Sequence, residues 1–368
     1  MWWKLLIISI VVVAFFIAAS HPKNLTHFGG FAPNGTGSIF SAIATAGIVF
    51  SYLGFRQGVE LAGESANPRR NVPIAVIGSV VVTIIIYTLL QIAFIGALPA
   101  HTLQHGWSNL AFNNDFGPLA GLASLLGMGW LAVALYADAI VSPADTGLIY
   151  TAATSRIAYA MGRNRNAPTK LAMLNTKGVP WVAVTVTFVV GLIVFLPFPS
   201  WQKLVGFITS ATVLSFSSGP LVVGALRRQL PDQERPFRVP GGDTIPLLAF
   251  IAANLIVFWA GWSTNYKLLI SIGIGYVLLV VHHRVSKQPA PLEWRAGAWV
   301  IPWLAALMVI SYLGPYGDGQ HVLTLGWGAL AIAVMSCVIY VLAIRLRLRP
   351  ERAIAAIEGS PAEAPPAV

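Results

Sequence analysis

The sequence predicts an all-α membrane protein of about ten transmembrane helices. Three observations predict it. Hydrophobic residues make up 56% of the 368 residues and charged residues only 10%, whereas a soluble domain carries roughly 25% charged residues. The chain resolves into apolar stretches near the roughly 20 residues that cross a bilayer. Its Lys and Arg fall almost entirely into alternate loops, the pattern that orients membrane helices.

In order, the apolar stretches are Trp3–Ala19, Ser38–Ala62, Ile74–Leu98, Met128–Met161, Val179–Pro197, Val205–Leu226, Ile245–Trp262, Leu268–His282, Trp299–Leu313 and Leu323–Ile344. The fourth is long enough to overrun the bilayer, and the eighth and ninth are short. Ala18-Ala19-Ser20 is a weak match to a signal-peptide cleavage site, and the charge alternation favours a retained first span. Asn24-Leu-Thr26 and Asn34-Gly-Thr36 match the glycosylation pattern, which is common by chance. The end of the chain, from Ala353, is rich in Ala, Pro and Glu and is expected to be a disordered tail.

Orientation follows from the basic residues. With Asn67–Pro73 placed in the cytoplasm, 17 of the 23 Lys and Arg lie in cytoplasmic loops: Arg69, Arg70, Arg163, Arg165, Lys170, Lys177, Arg227, Arg228, Arg235, Arg238, Arg284, Lys287, Arg295, Arg345, Arg347, Arg349 and Arg352. Only Lys23, Lys203 and Lys267 lie on the opposite side, while Lys4, Arg56 and Arg156 fall inside spans. The C-terminus is then cytoplasmic and the number of spans even. The net charge of +10 is thereby spent facing anionic lipid, and no basic domain remains to bind nucleic acid.

The second span is the most informative. It runs through Phe50-Ser-Tyr-Leu-Gly54 and carries Gly54, Gly58 and Gly63 before ending in Asn67-Pro-Arg-Arg70. Irregular backbone at membrane depth is tolerated only where it is buried in protein or lines a cavity. A break near Ser51–Gly54 would expose main-chain groups to a solute, as in transporters. The same glycines also fit a continuous helix with a small-residue packing face.

Leu53-Gly-Phe, Glu60-Leu-Ala-Gly-Glu64 and Asn67-Pro-Arg-Arg-Asn-Val-Pro73 resemble the sixth span and following loop of amino acid–polyamine–organocation permeases. Ser142-Pro-Ala-Asp-Thr-Gly-Leu-Ile-Tyr150 with Ser155-Arg-Ile-Ala-Tyr-Ala-Met-Gly-Arg-Asn164 is similar to their eighth span. Pro199-Ser-Trp-Gln202, Ile208-Thr-Ser-Ala-Thr-Val-Leu214 and Arg235-Pro-Phe-Arg-Val-Pro240 are similar to the region around their tenth. The resemblance covers roughly residues 1–283. It implies a leucine-transporter-like inverted-repeat fold, here with only the fifth span of repeat one, all of repeat two and four extra C-terminal helices. Residues 1–283 would form the permease core, 284–350 two additional spans and 351–368 the cytoplasmic tail. On this reading the first four spans are missing, and with them the glycine-rich partner of the second-span break.

The resemblance also implies site residues. Main-chain groups of Phe50, Ser51, Tyr52, Leu53 and Gly54 would hold the substrate, with Phe50 and Tyr52 covering it. Lys4 matches a lysine that stands in for a sodium ion in proton-coupled members; it also fits an interfacial Lys beside Trp2 and Trp3. Read from spacing alone, Arg56 and Glu60 are one helical turn apart and suit a same-helix ion pair. Asp138, Ser142, Asp145 and Arg156 recur at intervals that keep them on one helix face, a polar pathway or an ion-pair ladder in a span where charge is expensive.

Catalysis is not indicated. The chain lacks His-Glu-x-x-His, Gly-x-Ser-x-Gly and a phosphate loop. His101 and His105 sit in an outer loop with no carboxylate pattern, adjacent His282 and His283 cannot share a ligand on one helix, and Cys337 is the only cysteine. No cofactor or metal is expected, and the protein is not expected to be an enzyme. The sequence reads as a transmembrane transporter of amino acids or related small amines in the cytoplasmic membrane, working by alternating access with proton coupling. The alternative is a non-transporting half-permease acting as subunit, scaffold or relic. With one repeat reduced to a single helix, the chain is expected to need a second polypeptide to transport.

The charge asymmetry makes a direct prediction. Single cysteines placed in Asn67–Pro73 or after Ile344 should resist a membrane-impermeant thiol reagent in intact cells and react only after permeabilisation; strong labelling from outside at either place would reverse the orientation.

Overall fold

A computed structural model describes the chain except at residues 1, 19–20, 29, 31, 61, 63–64, 105, 108–109, 111, 113–116, 196–200, 236, 288–291 and 359–368. Ala19-Ser20, Gly63-Glu64, His105, Pro199-Ser200, Pro236 and the end of the tail therefore lie outside the described residues.

Among the described residues every regular element is a helix. The first part of the chain forms α1 (Trp2–Ala18), α2 (Thr36–Thr45), α3 (Ile48–Tyr52), α4 (Arg56–Glu60), α5 (Pro68–Ala97), α6 (Pro118–Leu125) and α7 (Gly129–Arg163). There follow α8 (Trp181–Phe195), α9 (Trp201–Phe216), α10 (Ser218–Gln229), α11 (Thr244–Trp259) and α12 (Trp262–Val285). The last four are α13 (Trp294–Gly297), α14 (Val300–Leu313), α15 (Leu325–Arg345) and α16 (Pro350–Glu358). Each of the ten apolar stretches has its helix. Six segments among the described residues are long and apolar enough to cross a membrane: α5, α7, α9 with α10, α12, α13 with α14, and α15. The α2–α4 segment makes a seventh with a 47° bend, and α1, α8 and α11 are apolar but shorter. The protein is thus an all-α, multi-pass membrane protein. At 35 residues, α7 runs continuously through Pro143 and spans about 52 Å, well beyond the roughly 30 Å of hydrocarbon.

Three local expectations are corrected. Asn67–Pro73 is not a loop: Pro68 opens α5 at its first helical position and Pro73 lies inside the helix. A proline at the first position sacrifices nothing, because that N–H has no intrahelical acceptor. The tail is not structureless from Ala353, since α16 continues to Glu358. Its Pro350 start and first-turn Glu351 suit a helix N-terminus, and Ala353 is buried. Asn24 is not a glycan acceptor. It is buried, and its Nδ2 donates to the carbonyls of Ile95 at 2.9 Å and Leu98 at 2.8 Å.

The chain divides into two compact units: Met1–Thr36 with Phe55–Ala153, and Gly37–Gly54 with Thr154–Val368. In the first, Ile7, Val11 and Phe15 recur every four residues along one face of α1 and pack with Ala93 and Ala97 of α5 and Leu122 and Ala123 of α6. Small residues on α5 let the two helices approach closely. Asn24 and the amide of His21, which donates to Gly96 O at 2.7 Å, give donors to the carbonyls at the C-terminal end of α5.

In the second unit the core runs through α9–α12, α14 and α15, around Phe250, Phe258, Leu307 and Ile332. Buried polar side chains tie these helices together. Trp303 Nε1 donates to Asn254 Oδ1 at 2.9 Å, and Asn254 Nδ2 donates to Ser336 Oγ at 3.0 Å. Asn265 Nδ2 donates to Val257 O and Ser311 Oγ. Such bonds hold membrane helices together where lipid removes the hydrophobic drive between them. Gly261 (φ +83°) meets Gly317 so closely that an added Cβ would lie 2.6 Å from its backbone, which requires glycine at the turn from α11 to α12. Away from the arginines at one end of each, the faces of α5 and α12 left uncovered by protein are mostly apolar, as lipid contact demands.

Replacing Asn24 by Ala removes both bonds to the end of α5 and should destabilise the detergent-solubilised protein by about 2 kcal/mol, read as a lowered thermal midpoint. An unchanged midpoint would mean that the cap does not form.

Candidate functional site

The second span breaks, and it does so in two places. The sharp break is at Ala46–Gly47, between α2 and α3. Gly47 is buried and left-handed at φ +92°, a conformation that costs an L-residue roughly 1–2 kcal/mol. A milder irregularity, a 3-10 turn at Leu53–Phe55, falls within the predicted stretch. Side chains bond back on either side of the break: Thr45 Oγ1 donates to Ser41 O and Ser51 Oγ to Gly47 O, both at 2.8 Å. The left-handed Gly47 interrupts the ladder, so the first-turn amides of α3 have no acceptor within their own helix.

The predicted substrate residues surround this irregular stretch with different exposures. Ser51 and Gly54 are exposed, Phe50 and Tyr52 half-buried, and the Leu53 side chain is packed into the apolar core. Any use of Leu53 would therefore be through its main chain.

Across from the break lies α9. A Cβ built on its Gly206 would sit 3.9 Å from Thr45, so this face of α9 is turned to the end of α2. Thr209 and Ser210, three and four residues further, share that face. Both are fully buried, and neither hydroxyl has a hydrogen-bond partner among the described residues. A buried hydroxyl left unpaired costs roughly 1–3 kcal/mol, and helical Ser and Thr ordinarily avoid this by bonding the carbonyl one turn back. Two such groups side by side, next to a break in a neighbouring span, can supply donors and acceptors to a small polar solute. Sequence reasoning missed Gly47, Thr209 and Ser210 as site residues. The available signals were a glycine between apolar residues at mid-span, and the adjacent hydroxyls of Thr209 and Ser210 in a predicted span.

The charged residues form local groups. In the first unit Lys4 Nζ lies 3.0 Å from Asp145 Oδ2 and donates to Thr146 Oγ1 at 2.8 Å. Thr146 in turn donates to Ser142 O, and Ser142 Oγ to Asp138 Oδ1. The spacing that placed Asp138, Ser142 and Asp145 on one face thus corresponds to a continuous polar ladder on α7, with Lys4 of α1 joined to it. Arg56 and Glu60 pair within α4. Arg156 is exposed and belongs to the second unit. No cluster of His, Cys, Asp and Glu able to hold a metal occurs among the described residues.

The structure is thus that of an all-helical multi-pass membrane protein with a broken span and an ion pair between apolar helices. The family model for amino acid permeases matches residues 2–224, and the chain belongs to that family. It is 40% identical over 347 residues to the glutamate/serine transporter AimA of Bacillus subtilis (strain 168), covering 93% of this chain and 64% of the relative. It is 36% identical to the aspartate-proton symporter of the same organism, covering 91% and 65%. The branched-chain amino acid permease BcaP, again from that organism, is 27% identical over 76% of this chain and 58% of its own length. The chain thus spans somewhat less than two thirds of the length of the curated relatives it matches.

The Lys4–Asp145 pair is testable by itself. Lys4→Gln, Asp145→Asn and the double variant should give a coupling energy of about 1 kcal/mol in thermal or denaturant unfolding. Strict additivity would mean that the two side chains do not interact.

Proposed function

We propose that this chain acts in the transport of amino acids across the cytoplasmic membrane by alternating access, with proton coupling. The observation that carries the reading is the buried, left-handed Gly47 break facing the partnerless hydroxyls of Thr209 and Ser210, in a member of the amino acid permease family. Main-chain amides of α3 and the α9 hydroxyls would bind the α-carboxylate and α-amino groups, which all amino acids share. Glutamate, serine and aspartate are the first substrates to test, because two relatives carry those names.

Coupling is assigned to Lys4 and the α7 ladder. The Lys4 amine, held by Asp145 and Thr146, is a proton store whose charge sets whether α1 and α7 stay joined. Arg56 is placed as a structural partner of Glu60. The C-terminus is assigned to the cytoplasm from the basic loops.

Purified residues 1–368 should bind at least one of labelled glutamate, serine or aspartate saturably, and liposomes with an inward proton gradient should accumulate it only when a second polypeptide is present, with a protonophore abolishing the accumulation. Lys4→Gln should lose the gradient dependence while retaining binding. Saturable, gradient-dependent uptake by residues 1–368 alone would show that no second polypeptide is needed. Neither binding nor uptake of any amino acid would overturn the reading.

A further inference from the structure

A groove of about 430 Å3 lies where α15 gives way to α16, bounded on its other side by α13. Arg295, Arg345, Arg347, Arg349 and Arg352 line it, against a single carboxylate, Glu293. Two of the five guanidiniums are engaged: Arg347 Nη1 donates to Ile344 O at 2.8 Å, and Arg352 pairs with Glu293. Arg295, Arg345 and Arg349 have no side-chain hydrogen bond or ion pair among the described residues.

The walls are anchored. Gln229, buried at the end of α10, donates through Nε2 to Leu348 O at 2.7 Å. Ala353 of α16 is buried, and the Arg352–Glu293 pair joins α16 to the segment before α13. An orientation signal needs only positive charge near the ends of spans. It does not need five guanidiniums gathered in one anchored groove, where they repel one another. Such an arrangement is favourable when an anion neutralises it, and the planar fork of arginine matches phosphate oxygens.

The level of the groove indicates where that anion comes from. Arg345 is the last residue of a membrane-spanning helix. Trp294, next to Arg295, is largely exposed, as are the tryptophans that sit at headgroup depth. The volume is within the roughly 300–1,000 Å3 of small-molecule sites and has room for a glycerophosphate headgroup.

We infer that this groove is a binding site for a phosphate anion, supplied by the headgroup of an anionic phospholipid. Phosphate diester oxygens would accept from Arg295, Arg345 and Arg349, while Arg347 and Arg352 keep their structural bonds. The site is independent of the proposed amino acid site.

The test uses the delipidated full chain in neutral detergent, titrated with short-chain phosphatidylglycerol, short-chain phosphatidylcholine and inorganic phosphate. Phosphatidylglycerol should bind saturably and about tenfold more tightly than phosphatidylcholine. The triple variant Arg295→Gln, Arg345→Gln, Arg349→Gln should lose that preference. Arg69→Gln with Arg70→Gln, which removes two basic residues elsewhere, should keep it. Should the triple variant fail to fold, Arg349→Gln alone should weaken binding about threefold. Inorganic phosphate binding as tightly as the lipid, and sensitive to the same arginines, would support the phosphate site with free phosphate as the source. Equal affinity for the two lipids with no response to inorganic phosphate, or equal loss in the Arg69/Arg70 variant, would overturn it.

Discussion

A peptide group that leaves the helical ladder inside a bilayer finds no water to replace its lost partner. Much of this structure answers that constraint. The chain is helical through most of its described spans, and where it departs from helix at Ala46–Gly47 the left-handed Gly47 is buried. Thr45 and Ser51 cover nearby carbonyls with their own hydroxyls, and the left-handed glycine makes the turn without Cβ strain. Asn24 and the His21 amide do the same for the end of α5. The Thr209 and Ser210 hydroxyls are left unsatisfied beside the break, two of the five buried side-chain oxygens without a partner among the described residues.

Charge obeys the same economy. Lys4, Asp145, Arg56 and Glu60 lie in spans where an isolated charge is expensive, and each has an opposite charge within reach. Pairing on one helix, as in α4, holds nothing else together. Pairing between α1 and α7 joins two helices and changes when either group changes protonation. That distinction is why the proposed coupling role falls on Lys4 and not on Arg56.

The C-terminal helices show a third use of polarity. Their buried Asn, Ser and Trp side chains are joined by hydrogen bonds, while the Asn265, Tyr316 and Tyr340 oxygens have no partner among the described residues. This part of the unit lies beyond the segment matched by the family model. It carries at its end the arginine-lined groove, where the hydrocarbon gives way to headgroups and charge again becomes affordable.

Much of the architecture was legible in the sequence, because a bilayer imposes length and apolarity on every span. All ten stretches, their order and the polar face of α7 could be read from hydropathy, glycine and charge spacing. The family could be read from Leu53–Pro73 and Ser142–Asn164. The position of the break could not. Gly47, Gly54 and Gly58 are equivalent in composition, and only packing against α9 decides which one turns left-handed. Nor could the sequence foretell that Pro68 starts a helix, that Asn24 caps α5 instead of facing solvent, or that arginines from two segments about fifty residues apart share one groove. Span length and polarity are local properties carried by neighbouring residues, whereas the partner of a freed amide, a buried hydroxyl or a guanidinium comes from a distant part of the chain and exists only once the helices have packed.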